Sequence, residues 1–514
     1  MNPRIAQAFA LLPDYLAWHV VLSASALVLG LAISLPLAIA ASRSPRLRWP
    51  VLAFAGLIQT IPSLALLALF YPLLLGLSAA SEAVLGKGFS ALGFLPSLLA
   101  LTLYSMLPIL RTATTGILGV DPAVREAADG VGMTPRQRLW QVELPLAMPV
   151  IMAGVRTAAV WTIGAATLST PVGQTSLGNY IFAGLQTENW VFVLFGCAAS
   201  AVLAMLVDQL LGLIEIGAAR RSRGLIVTGL ALLAAGTLAA VAPLAAIGKP
   251  ASYVVGAKNF SEQYILAELM AERLERTGAR VSRKEDLGSA VAYRALAAGE
   301  IDVYVDYTGT LWTNVLKRSD NPGREAVLAE LTSELEKRDG VVVLGSLGFE
   351  NAYAFAMRAD RARQLGVASL ADLARQAPRL NFGSDLEFLS RPEWKAVDRA
   401  YDFHFRSERS FQPTFMYRAL AGGEADVISA FSSDGRISAD KLVVLSDPKG
   451  ALPPYDAVIL VSPKRAADQR LLSALRPLVG AVSVEAMRAA NYSVDRDRDK
   501  ATPAEAARAL VNER

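Results

Sequence analysis

Few residues of this chain have the types and spacing that direct chemistry requires. His19 and His404 fall in different halves of the 514 residues, and Cys197, inside a long apolar run, is the one cysteine. No Cys/His cluster with the spacing of a transition-metal site occurs in the sequence. Gly86-Lys87 and Gly248-Lys249 lack the upstream glycine and the following Ser or Thr of a phosphate-binding loop. We therefore expect no catalytic residue, no metal and no cofactor in this chain, and a small-residue core role for Cys197.

A more informative spacing lies between two apolar runs, where residues 126–145 read EAADGVGMTPRQRLWQVELP. Alanines favour a helix, a glycine can end it, and a proline can begin the next one. The plain alternative is thus an amphipathic loop that contacts no partner. The positions that form the pattern are Glu126, Ala127, Ala128, Gly132, Leu144 and Pro145.

These positions resemble the EAA loop, E-A-A-x3-G-x9-I-x-L-P, of the permease subunits of bacterial ATP-binding-cassette importers, with Val142 in the Ile place. In that family the loop is a short helix that docks on a separate ATPase. The resemblance implies that the six positions dock an ATPase dimer, that ATP and Mg are used by that partner, and that two copies of this chain form the permease.

The two halves of the chain differ in composition. Residues 1–250 contain 14 Lys+Arg and 9 Asp+Glu, whereas residues 251–514 contain 36 and 37. The first half is typical of a membrane protein in contact with lipid, and the second of a water-soluble domain. The pI near 9.0 arises in the membrane half. The sequence has no basic face with interleaved aromatic residues, so it does not predict binding to nucleic acid.

Six apolar runs are long enough to span a bilayer, which takes about 20 residues each. Arginines cluster at residues 43–48, in the EAA loop at 119–147 and at residues 220–223, whereas the other connections hold only Lys87. The positive-inside rule then places both chain ends outside the cytoplasm of a bacterial inner membrane. The predicted spans are residues 16–41, 49–76, 92–118, 147–172, 191–217 and 225–248.

Polar residues inside these spans have two interpretations each. Asp208 and Glu215 in the fifth span are costly in lipid, and we expect them to pair with the cytoplasmic arginines or to snorkel. Small and hydroxyl residues along the fourth span indicate either a pore face or ordinary helix packing. These residues are Thr162, Gly164, Thr167, Ser169 and Thr170.

The second half, residues 251–514, alternates short apolar strands with helical segments. Residues 253–256 read as a buried strand, and a helix is expected from about residue 262 to 277 with Ser261 as its N-cap. Such alternation predicts an α/β fold with mostly parallel sheets. We expect two lobes, lobe 1 at about residues 251–348 and 428–514 and lobe 2 at about residues 349–427.

Several phrases of this half resemble the periplasmic binding proteins for glycine betaine, choline and carnitine, whose close relatives import ergothioneine. With the EAA loop, the resemblance implies a six-helix permease fused to a two-lobed binding domain of type II, which imports a quaternary ammonium osmoprotectant or ergothioneine. The phrases are VGAKNFSE at 255–262, GEIDVY at 299–304, DYTGT at 306–310, GFENAY at 348–353, AFSSDGRI at 430–437 and LPPY at 452–455.

The resemblance also implies a ligand site, because a quaternary ammonium group has no N–H and is recognised by the faces of aromatic rings. We expect ring faces, and not hydroxyls, to supply most of the binding. Tyrosines at strand ends usually only cap a core, which is the plain alternative. The expected ring positions are Tyr307, Tyr353, Phe431 and Tyr455, where Phe431 replaces a family tyrosine. Carboxylate donors are expected near Lys258, Asn259 and Ser289, and Asp434 faces either the cation or a neighbouring loop.

Two other classes of function compete with an importer. A ligand-sensing receptor could use the same binding fold, but it needs a cytoplasmic output domain, and the longest inward segment here is the EAA loop. An enzyme is the weaker alternative, because no nucleophile, base or metal constellation appears.

The topology can be tested with single cysteines at Gln137 and Phe260 in a Cys197→Ala background. We expect a membrane-impermeant thiol reagent to label residue 260 in intact spheroplasts and residue 137 only after permeabilisation. Labelling of residue 137 in intact spheroplasts would show that the arginine-rich loops face outward.

Overall fold

The computed structural model of the chain describes residues 3–85, 89–187, 189–246, 252–318, 320–385, 388–411, 413–496 and 499–512. Its residues form two compact units, Met1–Leu185 with Asn189–Lys249, and Gln186–Glu188 with Pro250–Arg514. The division falls next to the boundary expected at residues 250 and 251.

The described residues of the first unit form helices and the short turns that join them. Six helical stretches among its described residues are long and apolar enough to cross a membrane, which is the expected number. They are Arg4–Arg43, Ser63–Leu85, Phe94–Leu118, Pro135–Val172, Trp190–Ala219 and Arg223–Leu244. The helices are α1 (Pro3–Arg43), α2 (Pro45–Thr60), α3 (Ser63–Leu85), α4 (Phe94–Leu118), α5 (Pro122–Gly130), α6 (Pro135–Arg138), α7 (Leu144–Ala166), α8 (Gly178–Gln186), α9 (Trp190–Ala219) and α10 (Arg223–Ala246).

The prediction of one uninterrupted second span at residues 49–76 is wrong. Helix α2 ends at Thr60, Ile61 is extended with ψ 126°, and α3 begins at Ser63. Pro62 explains the interruption, because a proline disfavours helical backbone at the residue before it. Hydropathy could not reveal the break, since both sides of it are apolar.

The carboxylates of the fifth span have a different partner from the one expected. Arg156 on α7 donates to Asp208 at 2.9 and 2.8 Å and to Glu215 at 2.7 Å, so the pairing arginine lies in the fourth span and not in a cytoplasmic loop. Gly212 lies one helical turn from both carboxylates, and a Cβ there would be 3.4 Å from the guanidinium carbon. Cys197 is exposed on α9, contrary to the expected core role.

The second unit contains two five-stranded sheets flanked by helices. The first sheet has the order β2-β1-β3-β10-β4 and the second β7-β6-β8-β5-β9. The strands are β1 (Tyr253–Lys258), β2 (Val281–Leu287), β3 (Val303–Tyr307), β4 (Val342–Glu350), β5 (Tyr353–Arg358), β6 (Asn381–Asp385), β7 (Ser407–Phe411), β8 (Val427–Phe431), β9 (Leu442–Val444) and β10 (Asp456–Val461). The helices are α11 (Ser261–Glu275), α12 (Ser289–Ala297), α13 (Thr308–Thr310), α14 (Arg324–Asp339), α15 (Ala359–Leu365), α16 (Leu370–Gln376), α17 (Pro392–Tyr401), α18 (Pro413–Gly422), α19 (Arg436–Ala439), α20 (Gln469–Leu475), α21 (Val484–Asp495) and α22 (Pro503–Asn512).

Two details of this unit correct the sequence analysis. Four of the eight strand pairings among the described residues are antiparallel, so the sheets are mixed and not mostly parallel. Strands β8 and β9 pair with β5 in the second sheet, so lobe 2 runs from residue 353 through 444 and does not end at 427. An apolar run at 427–431 shows that a strand is buried but not which sheet it joins.

Ser261 is the first residue of α11 and not its N-cap. Phe260 holds the cap position, and the Ser261 hydroxyl instead donates to Asp495 at 2.5 Å. The hydroxyl therefore ties α11 to α21, two helices far apart in the sequence.

Candidate functional site

Strand register brings three of the four predicted rings together. Tyr353 begins β5 and Phe431 ends β8, and the two are directly opposite in the antiparallel pair. Opposite residues point to the same face, and their ring centroids are 5.0 Å apart. Tyr455, just before β10, is perpendicular to Tyr353 at 6.2 Å. Sequence analysis missed Phe388, which follows β6 and lies 4.6 Å from Tyr353.

The fourth ring, Tyr307, lies at the end of β3, where it pairs with Ala457 of β10. Its ring stacks on Phe260 with centroids 6.1 Å apart. Its hydroxyl donates to Glu262 at 2.6 Å and accepts from Gln263 at 3.0 Å. The ring therefore has a fixed orientation within the first sheet.

Glu262 accepts hydrogen bonds from several parts of the second unit, the expected binding unit at residues 251–514. Besides Tyr307, it accepts hydrogen bonds from Asn351 at 3.1 Å and Asn491 at 2.9 Å. Burial raises the pKa of Glu262, and these hydrogen bonds partly offset that rise. Asn351 lies between β4 and β5, where the chain passes from the first sheet to the second, so Glu262 couples Tyr307 to this crossing.

Tyr455 is held by a second buried carboxylate. Its hydroxyl donates to Glu393, and Arg391 contacts that hydroxyl at 3.4 Å and Glu393 at 3.0 and 3.2 Å. Burial alone would lower the pKa of Arg391, but its hydrogen bond to Glu393 and the charges of Tyr455, Tyr353 and Glu393 together outweigh burial, and the net shift is upward. The guanidinium carbon lies 5.4 Å from the Tyr353 ring centroid. A positive charge thus stands at the edge of the ring cluster.

Sequence analysis missed Arg391 and Glu393 because both flank Pro392 at the start of α17. A proline in that position predicts a helix start. It says nothing of where the neighbouring side chains point.

The predicted carboxylate donors are not gathered at the rings in the expected way. Lys258 is buried with 2% exposure, and its ammonium is paired with Asp306 while lying 5.3 Å from the Tyr307 ring. Asn259 and Ser289 are exposed. Lys258 is therefore paired and almost closed off from solvent, and its expected role as a ligand donor stays a prediction.

Asp434 has a structural partner two residues further along its own loop. It accepts from Arg436 at 2.7 and 3.0 Å. Burial raises the pKa of Asp434, but the charge and hydrogen bonds of Arg436 outweigh it, and the net shift is downward. Of its two expected roles, the geometry favours orienting the loop after β8.

Gly309 is required by the position of the Tyr455 ring. A Cβ at Gly309 would lie 2.4, 2.5 and 2.6 Å from three atoms of that ring. The ring therefore packs directly on backbone, which only glycine allows.

The EAA loop at residues 119–147, which is the expected coupling loop, has both exposed and buried motif residues. Ala128 and Leu144 are each 5% exposed and pack inside the first unit, so they offer little surface to a partner. The exposed members are Glu126, Ala127, Gly132 and Pro145. Val131 and Trp140 add large apolar surface, at 75% and 61% exposure. Docking on an ATPase stays a prediction for this surface.

Glu143, within the motif but outside the predicted set, is fully buried. Its carboxylate lies 3.2 Å from Arg43, 3.3 Å from Arg138 and 3.9 Å from Arg125. Arg125 also donates to the carbonyls of Ile117 and Leu118 at 2.7 and 2.9 Å. One carboxylate therefore fastens the coupling loop to the ends of α1 and α4.

Comparisons with protein families cover nearly the whole chain. Residues 251–513 match the family described as "Substrate binding domain of ABC-type glycine betaine transport system". Residues 30–221 match "Binding-protein-dependent transport system inner membrane component".

Individual relatives agree with this division. "Ergothioneine transport permease/ergothioneine binding protein EgtU" of Helicobacter pylori (strain G27) is 31% identical over 464 residues, which cover 87% of this chain and 80% of the relative. "Choline transport system permease protein OpuBB" of Bacillus subtilis (strain 168) is 39% identical over 197 residues, which cover 38% of this chain and 83% of the relative. A solved structure described as "Crystal structure of glycine betaine/carnitine/choline ABC transporter" aligns with 51% of this chain and 98% of its own, at 26% identity and a TM-score of 0.47.

Gly309→Ala should displace the Tyr455 ring, because overpacking of this kind costs about 1–3 kcal/mol. We expect calorimetric titration of the purified chain with glycine betaine to show roughly tenfold weaker binding, since about 1.4 kcal/mol is tenfold. Gly422→Ala is the matched control, because a Cβ there has no atom within 4 Å. Equal affinities for the two variants would remove Tyr455 from the site.

Glu143→Ala should detach the coupling loop, because it leaves three arginines without their shared counter-charge. We expect loss of ATP-driven uptake in proteoliposomes, with unchanged ligand binding by the binding unit. Gly132→Asp should have the same effect from the exposed side. The exposed neighbour Gln141→Ala serves as control, and full uptake by the Glu143 variant would contradict the positioning role.

Proposed function

We propose that the substrate of this chain is a zwitterionic trimethylammonium compound. The chain belongs to the family of ATP-binding-cassette importers that fuse an inner-membrane permease to a glycine-betaine-type substrate-binding domain. The expected family, the six-helix permease fused to an α/β binding domain and the location in the bacterial inner membrane are confirmed by the family matches. The chain is an importer subunit with its own substrate-binding domain.

The single observation that carries the substrate class is the combination of rings and charge at one place. Tyr353, Phe431 and Tyr455 bring three rings together, which suits a cation that cannot donate hydrogen bonds. Phe388 is fully buried and packs on Tyr353. Arg391 stands beside the same rings. Arg391 is paired with Glu393, but its side chain is 16% exposed and a guanidinium has five donors, so the carboxylate of a betaine could bind it as well.

The same geometry changes the expectation that the tyrosine hydroxyls contribute little. The hydroxyls of Tyr455 and Tyr307 are donors to the buried Glu393 and Glu262. Removing either hydroxyl leaves a buried carboxylate short of one donor, which costs about 1–3 kcal/mol. Tyr→Phe at these positions should therefore weaken binding even though the ring face is kept.

Ergothioneine is the second candidate substrate, because it is itself a trimethylammonium betaine. One observation favours it: the relative that aligns over both units carries ergothioneine in its name. Phe431, which lacks the hydroxyl of the family tyrosine, is compatible with a ligand that differs from glycine betaine.

The remaining parts of the import cycle are proposals from the family. Two copies of this chain form the permease, and a dimer of separate ATPase chains docks on the exposed face of the coupling loops. ATP and Mg are used by that partner, so this chain itself catalyses no reaction and needs no cofactor.

Arg391→Gln tests the substrate class. Without the guanidinium, and with Glu393 left to attract a cation, we expect glycine betaine and ergothioneine to bind at least roughly tenfold more weakly and choline to bind as well as before or better. Calorimetric titrations of the full chain measure each affinity, with proline as a ligand that lacks a quaternary ammonium.

Arg358→Gln is the matched control, because Arg358 forms an exposed pair with Asp360 at 2.6 Å. If wild type prefers proline, or binds no trimethylammonium compound, the proposed substrate class is wrong. If Arg391→Gln lowers all affinities equally, Arg391 does not distinguish zwitterions from cations.

A further inference from the structure

The break between α2 and α3 lines a partly open cavity on the permease unit. Its volume is about 290 Å³, near the lower limit for small-molecule sites. Irregular backbone inside a membrane is tolerated only where protein covers it or where it lines a cavity, and interrupted helices mark the substrate sites of several transporter folds. The lining residues are Gln59, Thr60, Ile61, Pro62, Ser63, Tyr104, Trp161 and Ala165.

The break is stabilised by reciprocal hydrogen bonds with α4. The Tyr104 hydroxyl donates to the carbonyl of Ile61, a carbonyl at the break. Gln59 donates at 3.3 Å to the carbonyl of Tyr104, which has no helical donor because the residue four positions on is Pro108. Pro62 and Pro108 thus leave the carbonyls of Ile61 and Tyr104 without helical donors. The Tyr104 hydroxyl and the Gln59 amide donate to them instead. The cavity has a fixed wall and is not a gap between mobile helices.

The lining suits a cation that is weakly hydrated and cannot donate hydrogen bonds. Its aromatic residues are Tyr104 and Trp161, and none of the described residues that line it is charged. Trp161 is 57% exposed. Ring faces attract a quaternary ammonium without the strong binding that a buried carboxylate would impose. Such a site permits passage, which requires binding weak enough for release.

The two helix ends at the break add opposite partial charges. The carbonyl end of α2 is at Thr60 and the amide end of α3 is at Ser63, and both residues line the cavity. A helix is partially negative at its carbonyl end and partially positive at its amide end. A zwitterion could direct its ammonium group to the first and its carboxylate to the second.

The depth of the cavity fits a transit position. Tyr104 is ten residues along the 25-residue α4, about 15 Å from its start at the rise of an α-helix. A bilayer core is about 30 Å thick, so this level is near the middle.

We propose that this cavity holds the trimethylammonium group of the substrate during its passage through the permease. The inference rests on the proposed function, because the ligand class is the one assigned to the binding domain. The competing explanation for Trp161 is an aromatic side chain at the membrane surface, with no ligand.

A thiol reagent that carries the substrate's own head group tests the inference. In a Cys197→Ala background, Ser63→Cys is treated with trimethylammonium-ethyl methanethiosulfonate and, separately, with the anionic sulfonatoethyl analogue. The full chain is used in membranes without ATPase. We expect the cationic reagent to react at least tenfold faster than the anionic one, after normalisation to Ser473→Cys on the soluble unit. Tetramethylammonium should protect Ser63→Cys, and Trp161→Ala, but not Trp161→Phe, should abolish both effects.

Leu69→Cys controls for access from lipid, because Leu69 is 54% exposed on α3 and does not line the cavity. Equal normalised rates for the two reagents, no protection, or identical behaviour of residues 63 and 69 would overturn the transit site. These results do not depend on the titrations of the binding unit. If the binding unit binds a betaine but residue 63 shows no preference for the cationic reagent, the transit site is refuted and the proposed function stands.

Discussion

A carboxylate that is removed from water must gather hydrogen-bond donors or positive charges, since its desolvation otherwise costs several kcal/mol. Glu143, Glu262 and Glu393 are each almost fully buried. Each satisfies this constraint with at least one side chain from a distant segment. The coupling loop, the orientation of Tyr307 and the contact of Tyr455 with α17 all depend on these three residues.

The two carboxylates of the binding unit fix the orientations of two of the predicted rings, Tyr307 and Tyr455. Glu262 accepts from Tyr307 and from Asn351 at the crossing between sheets. Glu393 accepts from Tyr455 and neutralises Arg391. Ring faces and a guanidinium are thereby held in fixed positions, which lowers the entropy cost of binding a ligand that forms few hydrogen bonds itself.

The permease unit follows a related rule for its backbone. Pro62 and Pro108 remove helical hydrogen bonds inside apolar segments, and Gln59 and Tyr104 supply the missing donors. Arg156 likewise meets Asp208 and Glu215 within the helices. These polar groups are satisfied by one another, since neither lipid nor water offers them partners there.

Local patterns in the sequence determined the two-part chain, the count of six spans, the coupling motif and the strands that carry the rings, because periodicity and spacing are properties of consecutive residues. They misplaced the second span, the end of lobe 2, the cap of α11 and the partner of Asp208 and Glu215. Only the tertiary structure decided that β8 joins β5, that Arg391 stands beside Tyr353, and that Glu143 gathers three arginines. The physical reason is that such contacts join residues tens to hundreds of positions apart, and the partner of a buried charge depends on packing that no local pattern encodes.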